Sequence, residues 1–85
     1  MGRTFFFYGG VFMDTISKQF GDNLRAQRKK LGLTQQQIAD ELNFDRSTYS
    51  YYELGRTDPS IATLCKLTQI FGITADQLIN PQPNE

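Results

Sequence analysis

Residues 35–54 read QQQIADELNFDRSTYSYYEL, two apolar-periodic segments broken at Asn43-Phe44-Asp45. Two short helices joined by a turn of about three or four residues must cross at a steep angle. That crossing makes three demands. The first helix needs a small residue where the second approaches, and Ala39 stands there. The turn needs a residue tolerant of positive φ, and Asn43 is the best non-glycine choice. The inner faces need apolar cover, which Ile38, Leu42, Phe44, Tyr49 and Tyr52 supply. All are met at once, so the spacing predicts a helix-turn-helix over 34–54.

The flanks extend the helical pattern in both directions. Thr34 and Gln37 form a Thr-x-x-Gln capping box that starts the first helix of the pair. Asp45 is placed to cap the second, which ends at Leu54-Gly55. Upstream from Asp14, the residues Ile16, Phe20, Leu24, Gln27 and Leu31 share one helix face, and Gly32 is the stop. Downstream, Ser60 or Asp58 caps a fourth helix with a buried stripe of Ile61, Leu64, Leu67, Thr68 and Phe71, closed by Gly72. Thr74 and Gln77 repeat the capping box before Leu78 and Ile79, and Asn80-Pro81 stops that fifth helix. No strand signal or internal repeat follows Met13. The expected fold is all-α, a compact five-helix bundle over 14–80 with a polar tail, 81–85.

The first thirteen residues, MGRTFFFYGGVFM, differ in character: five of the chain's eleven aromatics and a single charge, Arg3. The apolar stretch is too short for a membrane span of about 20 residues and lacks a small-x-small cleavage site. Two readings remain for 1–13. It is an extension poorly ordered on its own, or it is a sticky strand that pairs with its copy in another protomer.

Composition narrows the function classes. Nine Lys+Arg balance nine Asp+Glu over 85 residues, so no bulk field drives the chain onto polyanions or membranes. There is no His and one Cys. His–Cys metal sites, Ser–His–Asp or Cys–His catalysis and an intrachain disulfide framework are therefore excluded. No paired carboxylates, metal cluster or Gly-rich phosphate loop points to an enzyme, and no cofactor is implied. Cys65, beside Leu64, is assigned to the core, and the compartment is read as reducing and cytoplasmic.

Residues 20–79, and above all the text LRAQRKKLGLTQQQIADELNFDRSTYSYYELGRTDPSIATLCKLTQIFGITADQLI, resemble the XRE family of phage repressors and Cro proteins. The resemblance implies the lambda repressor-like bundle of five helices, with the third as recognition helix. It also implies sequence-specific binding of operator DNA by a dimer, without catalysis. Three features depart from the family. Asn43 replaces the usual turn Gly, Tyr49 replaces a smaller aliphatic residue so that the local core is repacked or its hydroxyl finds a partner, and the leader before Met13 has no counterpart.

The helical wheel identifies the DNA-facing side chains. With Tyr49 and Tyr52 inward, the opposite face offers Arg46, Ser47, Ser50 and Tyr51 as base readers. Arg46 leads at the N-terminal tip and is able to donate two bonds to guanine, with phosphate binding as its competing role. Phosphate contacts are expected from Gln35 and Gln36 at a helix N-terminus, from Thr48, and from Arg56 and Thr57 after the recognition helix. Lys29 and Lys30 read first as a solvated helix end. The family matches Gln35 to a position that contacts the DNA backbone and buttresses the recognition helix. It matches Arg28 and Glu53 to a partly buried ion pair. A homodimer is expected through Ile73, Leu78 and Ile79, because a short terminal helix does not bury both faces in its own chain. The partner is a double-stranded, pseudo-palindromic operator, with no membrane and no small-molecule ligand. The alternative is an antitoxin-like or coactivator-like interaction module on the same fold. Charge placement favours DNA, since pairing Arg28 with Glu53 and using Asp45 as a cap leaves the surface of 18–56 leaning positive.

Overall fold

The computed structural model describes the backbone of residues 9–80 and side chains from residue 16 onward. Five helices follow in order: α1 (Gly9–Lys30), α2 (Gln35–Leu42), α3 (Arg46–Leu54), α4 (Ile61–Phe71) and α5 (Ala75–Ile79), with no strand among the described residues. Residues 1–8 and the tail 81–85 lie outside the described residues, and so do the two readings of the leader over 1–8, whereas the backbone of 9–13 is helical. α1 begins at Gly9, inside the segment expected to precede the domain. Once a packed helix exists, each further turn adds a hydrogen bond per residue without a new nucleation cost.

The connections follow the local chemistry. Thr34 and Thr74 close capping boxes with Gln37 and Gln77, and the Ser60 side chain accepts from the Thr63 N–H. Asn43 takes the left-handed conformation, φ 61°, and its N–H and that of Phe44 return to carbonyls of α2. Asp45 is a correction. It occupies the N-cap position of α3, but its side chain makes no capping hydrogen bond. Besides the ordinary first helical bond from Tyr49, its backbone carbonyl also accepts the Thr48 N–H that a capping side chain would take, so the carboxylate stays exposed at the positive end of the helix.

Every helix feeds one core: Phe20 and Leu24 from α1, Ile38, Ala39 and Leu42 from α2, Tyr49 and Tyr52 from α3, Leu67 and Phe71 from α4, Leu78 from α5. Fully burying one such large apolar side chain contributes about 1.5–3 kcal/mol. α1 packs on α3 and α5, α2 on α3 and α4, and α4 on α5. The α1–α3 crossing is close because of Gly21. A Cβ there would stand 2.5 Å from the Glu53 carbonyl oxygen and 2.6 Å from that of Tyr52. The short α5 is held at its far end by buried Asn23, whose Nδ2 donates to the carbonyls of Leu78 (2.8 Å) and Asn80 (2.9 Å).

Several stripe positions are corrected. Leu31 lies past the end of α1 and is exposed, and Ile16 and Gln27 are half-buried. Ile61 is 83% exposed, because the first turn of α4 lies beyond the part that carries Leu67 and Phe71 into the core. Cys65 is exposed rather than in the core; it is one position past Leu64, about 100° further round the helix. Leu78 is fully buried within its own chain, which removes it from the expected dimer surface. Ile79 beside it remains exposed, and Ile73 packs partly against the core.

Candidate nucleic-acid interface

α3 has two faces of opposite chemistry. Inward, Tyr49 and Tyr52 meet edge to face with centroids 6.3 Å apart, and Phe44 tilts onto Tyr52 at 6.1 Å. Outward, Arg46, Ser47 and Tyr51 are exposed, while Ser50 and Thr48 are half-buried at the sides. Gly55 ends the helix in the left-handed conformation. The Arg56 N–H then returns to the Tyr51 carbonyl, which brings the Arg56 guanidinium over the Tyr51 ring, 6.0 Å from its centroid. A base-reading candidate and a phosphate-binding candidate thus sit against one another.

Glu53 ties α3 to the rest of the bundle. Its carboxylate is bridged by Arg28 in a two-bond fork, Nε to Oε2 at 2.7 Å and one terminal nitrogen to Oε1 at 3.1 Å. The side chains are 13% and 3% exposed. The other terminal nitrogen of Arg28 donates to the Leu33 carbonyl at 3.0 Å, fixing the α1–α2 turn. The Tyr49 hydroxyl donates to Glu53 Oε2 at 2.6 Å. This is the partner that its phenol requires. Burial alone would raise the Glu53 carboxyl. Hydrogen bonds from Arg28, Tyr49 and Gln35 outweigh it and hold the pKa below the ordinary value. The Arg28 guanidinium is pushed up by its bond to Glu53. Burial first, and then the bond to Glu53, push the Tyr49 phenol up.

Gln35 connects this buried cluster to the surface. Its Nε2 donates to Glu53 Oε1 at 3.0 Å, and its Oε1 accepts from an Arg46 terminal nitrogen at 3.1 Å. Around it a cleft is lined by Arg25, Arg28, Gln35, Ser50, Glu53 and Leu54. The structure therefore brings together Gln35, Arg46 and Ser50, and separately Tyr51 with Arg56. Gln36 turns along its own helix to Asp40 at 2.8 Å, so its amide is partly occupied. Thr57, Lys29 and Lys30 are exposed. At the start of α2 the first-turn N–H groups have no acceptor within the helix.

Arg25 is the residue that sequence reasoning passed over as a site candidate. It is exposed on the rim of the Gln35–Ser50 cleft. Its spacing held a signal, since it is one turn before Arg28 on the same side of α1. Electrostatics are less one-sided than expected. Lys18 pairs with Asp22 at 3.2 Å, and uncapped Asp45 keeps a negative charge next to Arg46. Outside the two ion pairs, residues 18–56 carry Arg25, Lys29, Lys30, Arg46 and Arg56 against Asp40, Glu41 and Asp45.

No helix among the described residues is long and apolar enough to cross a membrane. The Helix-turn-helix family profile matches residues 24–78. The HTH-type transcriptional regulator YqaE of Bacillus subtilis is 39% identical over 66 residues, covering 78% of this chain and 57% of that protein. The control protein C.MunI of a Mycoplasma species is 35% identical, over 80% of this chain and 93% of its own. Among solved structures, the restriction-modification controller protein C.AhdI of Aeromonas hydrophila superposes with a TM-score of 0.66 at 31% identity, covering 72% of this chain and 92% of that one. The chain spans about half the length of several of the curated relatives it matches. A five-helix bundle around the 34–54 crossing, a family match that runs from the last two turns of α1 into α5 and relatives named as regulators rather than enzymes agree: the chain belongs to the XRE-type helix-turn-helix family of transcriptional regulators.

Proposed function

We infer that this protein is a sequence-specific DNA-binding regulator that acts as a dimer on a pseudo-palindromic operator. The observation that carries this reading is the division of α3. One face is locked into the bundle through Glu53, and the opposite face presents Arg46, Ser47 and Tyr51 to solvent with Arg46 held by Gln35. A recognition helix enters the major groove with its N-terminal residues leading. Arg46 then addresses guanine O6 and N7, Tyr51 covers a thymine methyl, and Ser47 and Ser50 bond base edges or phosphate. Gln35, Gln36, Thr48, Arg56 and Thr57 hold the backbone, and Arg25 joins them from the cleft rim.

One such module reads only a few base pairs, so specificity calls for two copies. The surface for this is the α4–α5 end. Ile79 borders an apolar groove with Ile16, Phe20, Pro59 and Leu64, and exposed Ile61 lies one turn before Leu64. Ile73 stays a candidate at its margin. Selection from random duplexes tests the reading. Enrichment of an inverted repeat with half-site centres about 10–10.5 base pairs, or a multiple, apart supports it. Recovery of unselected sequence contradicts it and favours an interaction module on the same fold.

A further inference from the structure

We propose that Tyr49 is a specificity-positioning residue: through Glu53 and Gln35 it fixes how Arg46 is presented to a base, without touching DNA itself. The proposal rests on the reading of α3 as a DNA-reading helix. Tyr49 is wholly buried, and its hydroxyl donates to Glu53 Oε2, the oxygen that also accepts Arg28 Nε. Oε1 accepts from Arg28 and from Gln35. Four donors therefore occupy a carboxylate with about four acceptor sites, and its plane is fixed.

An ionised carboxylate only accepts. Gln35 must therefore turn its NH2 group toward Glu53, and its planar amide then presents Oε1 away from the core. A guanidinium only donates, so Oε1 is the end that Arg46 uses. The reverse amide orientation would set oxygen against carboxylate and NH2 against guanidinium. The chain Tyr49–Glu53–Gln35–Arg46 is thus directional, and its polarity is set in the core. One Arg46 N–H goes to Gln35, and the remaining donors keep the fork that guanine recognition needs. Without the Tyr49 hydroxyl, Oε2 keeps Arg28 alone, so the carboxylate loses one of the four bonds that set its plane and the outer end of the chain loosens.

The test uses the full chain with Tyr49→Phe, Gln35→Met and the double variant, each checked for cooperative thermal unfolding. Duplex selection gives discrimination base pair by base pair, and salt titration gives the electrostatic slope. Tyr49→Phe is expected to lower discrimination about tenfold at the base pair read by Arg46, the lower part of what a bidentate arginine–guanine contact supplies. Discrimination elsewhere and the salt slope stay as in the unmodified protein. Gln35→Met produces at least the same loss, and adding Tyr49→Phe to it changes nothing further. Three results overturn the proposal. If Tyr49→Phe keeps full discrimination while Gln35→Met loses it, the chain stops at Gln35 and the functional reading stands. If Tyr49→Phe weakens all positions evenly in step with stability, its role is structural alone. If the unmodified protein enriches no sequence, the functional reading itself fails and the proposal with it.

Discussion

Glu53 carries a charge that water hardly reaches, with 3% of its side chain exposed. Such a group is tolerable only because its lone pairs are taken by Arg28, Gln35 and Tyr49. Replacing the whole pair with apolar residues could be nearly neutral, but removing one partner strands the other. Arg28→Met or Glu53→Leu alone is expected to cost about 3–5 kcal/mol, with the double variant recovering much of the loss; a double-mutant cycle in urea without coupling contradicts the pairing. Acid gives a second handle on the same residue. The folded-state pKa of Glu53 lies below its unfolded value, so its stabilisation is complete above about pH 4.3 and is lost as pH falls through the lower folded value. Glu53→Gln should flatten stability against pH in that acid window, and an unchanged slope would show that the carboxylate is not held this way. At this scale the sequence was partly legible. The resemblance matched Arg28 to a partly buried pair with Glu53, and the Tyr49 phenol called for a partner. The link from Gln35 to Arg46 was not, because it joins two helices through an amide whose orientation depends on a third residue. Cys65 and Asp45 misled because residue type alone suggests a core thiol and a cap, while phase on the helix and a competing carbonyl decide otherwise.

Helix starts and stops were the most legible features, since capping is local chemistry: a hydroxyl three residues before a glutamine, or a residue that accepts positive φ. Asn43, Thr34 and Thr74 stand as read, and of the two residues read for the fourth cap Ser60 is the one that serves. Helix faces were less so. The stripe on α4 included Ile61 because periodicity cannot tell where a helix runs past its neighbours. The close approach at Gly21 gave no signal, since Gly21 within a helical pattern reads as a weak helix former. In the structure it lets α1 meet the backbone of α3. Gly21→Ala therefore sets two effects against each other. Helix propensity gains about 1 kcal/mol, and a methyl against two carbonyl oxygens costs about 1–3 kcal/mol or more in displaced backbone. Urea melts should show net destabilisation; a raised midpoint would mean that α1 and α3 do not approach so closely.

For the whole molecule, net neutrality places the burden on arrangement: positive charge at Arg25, Arg46 and Arg56 beside the helix ends, with Asp45 tempering it. The bundle and its crossing could be read from the chain, but the proposed dimer surface could not. Leu78 looks available in a five-residue helix and is instead held in the core while Asn23 secures the end of α5. Ile61→Lys changes a group 83% exposed and should leave stability within about 0.5 kcal/mol, while Ile79→Lys, at a residue 36% exposed in the groove, gives up part of its apolar burial and should cost about 1 kcal/mol. They should shift sedimentation toward monomer; unchanged association would place the interface elsewhere. The function itself is tested by the salt dependence of binding to a selected duplex. Each phosphate neutralised contributes a slope of about −0.9 in log K against log salt. Arg56→Ala should weaken binding to every sequence and flatten the slope by about one unit, whereas Arg46→Ala should relax preference at one or two base pairs by about 1–3 kcal/mol. If neither substitution changes slope or preference, the outward face of α3 does not read DNA.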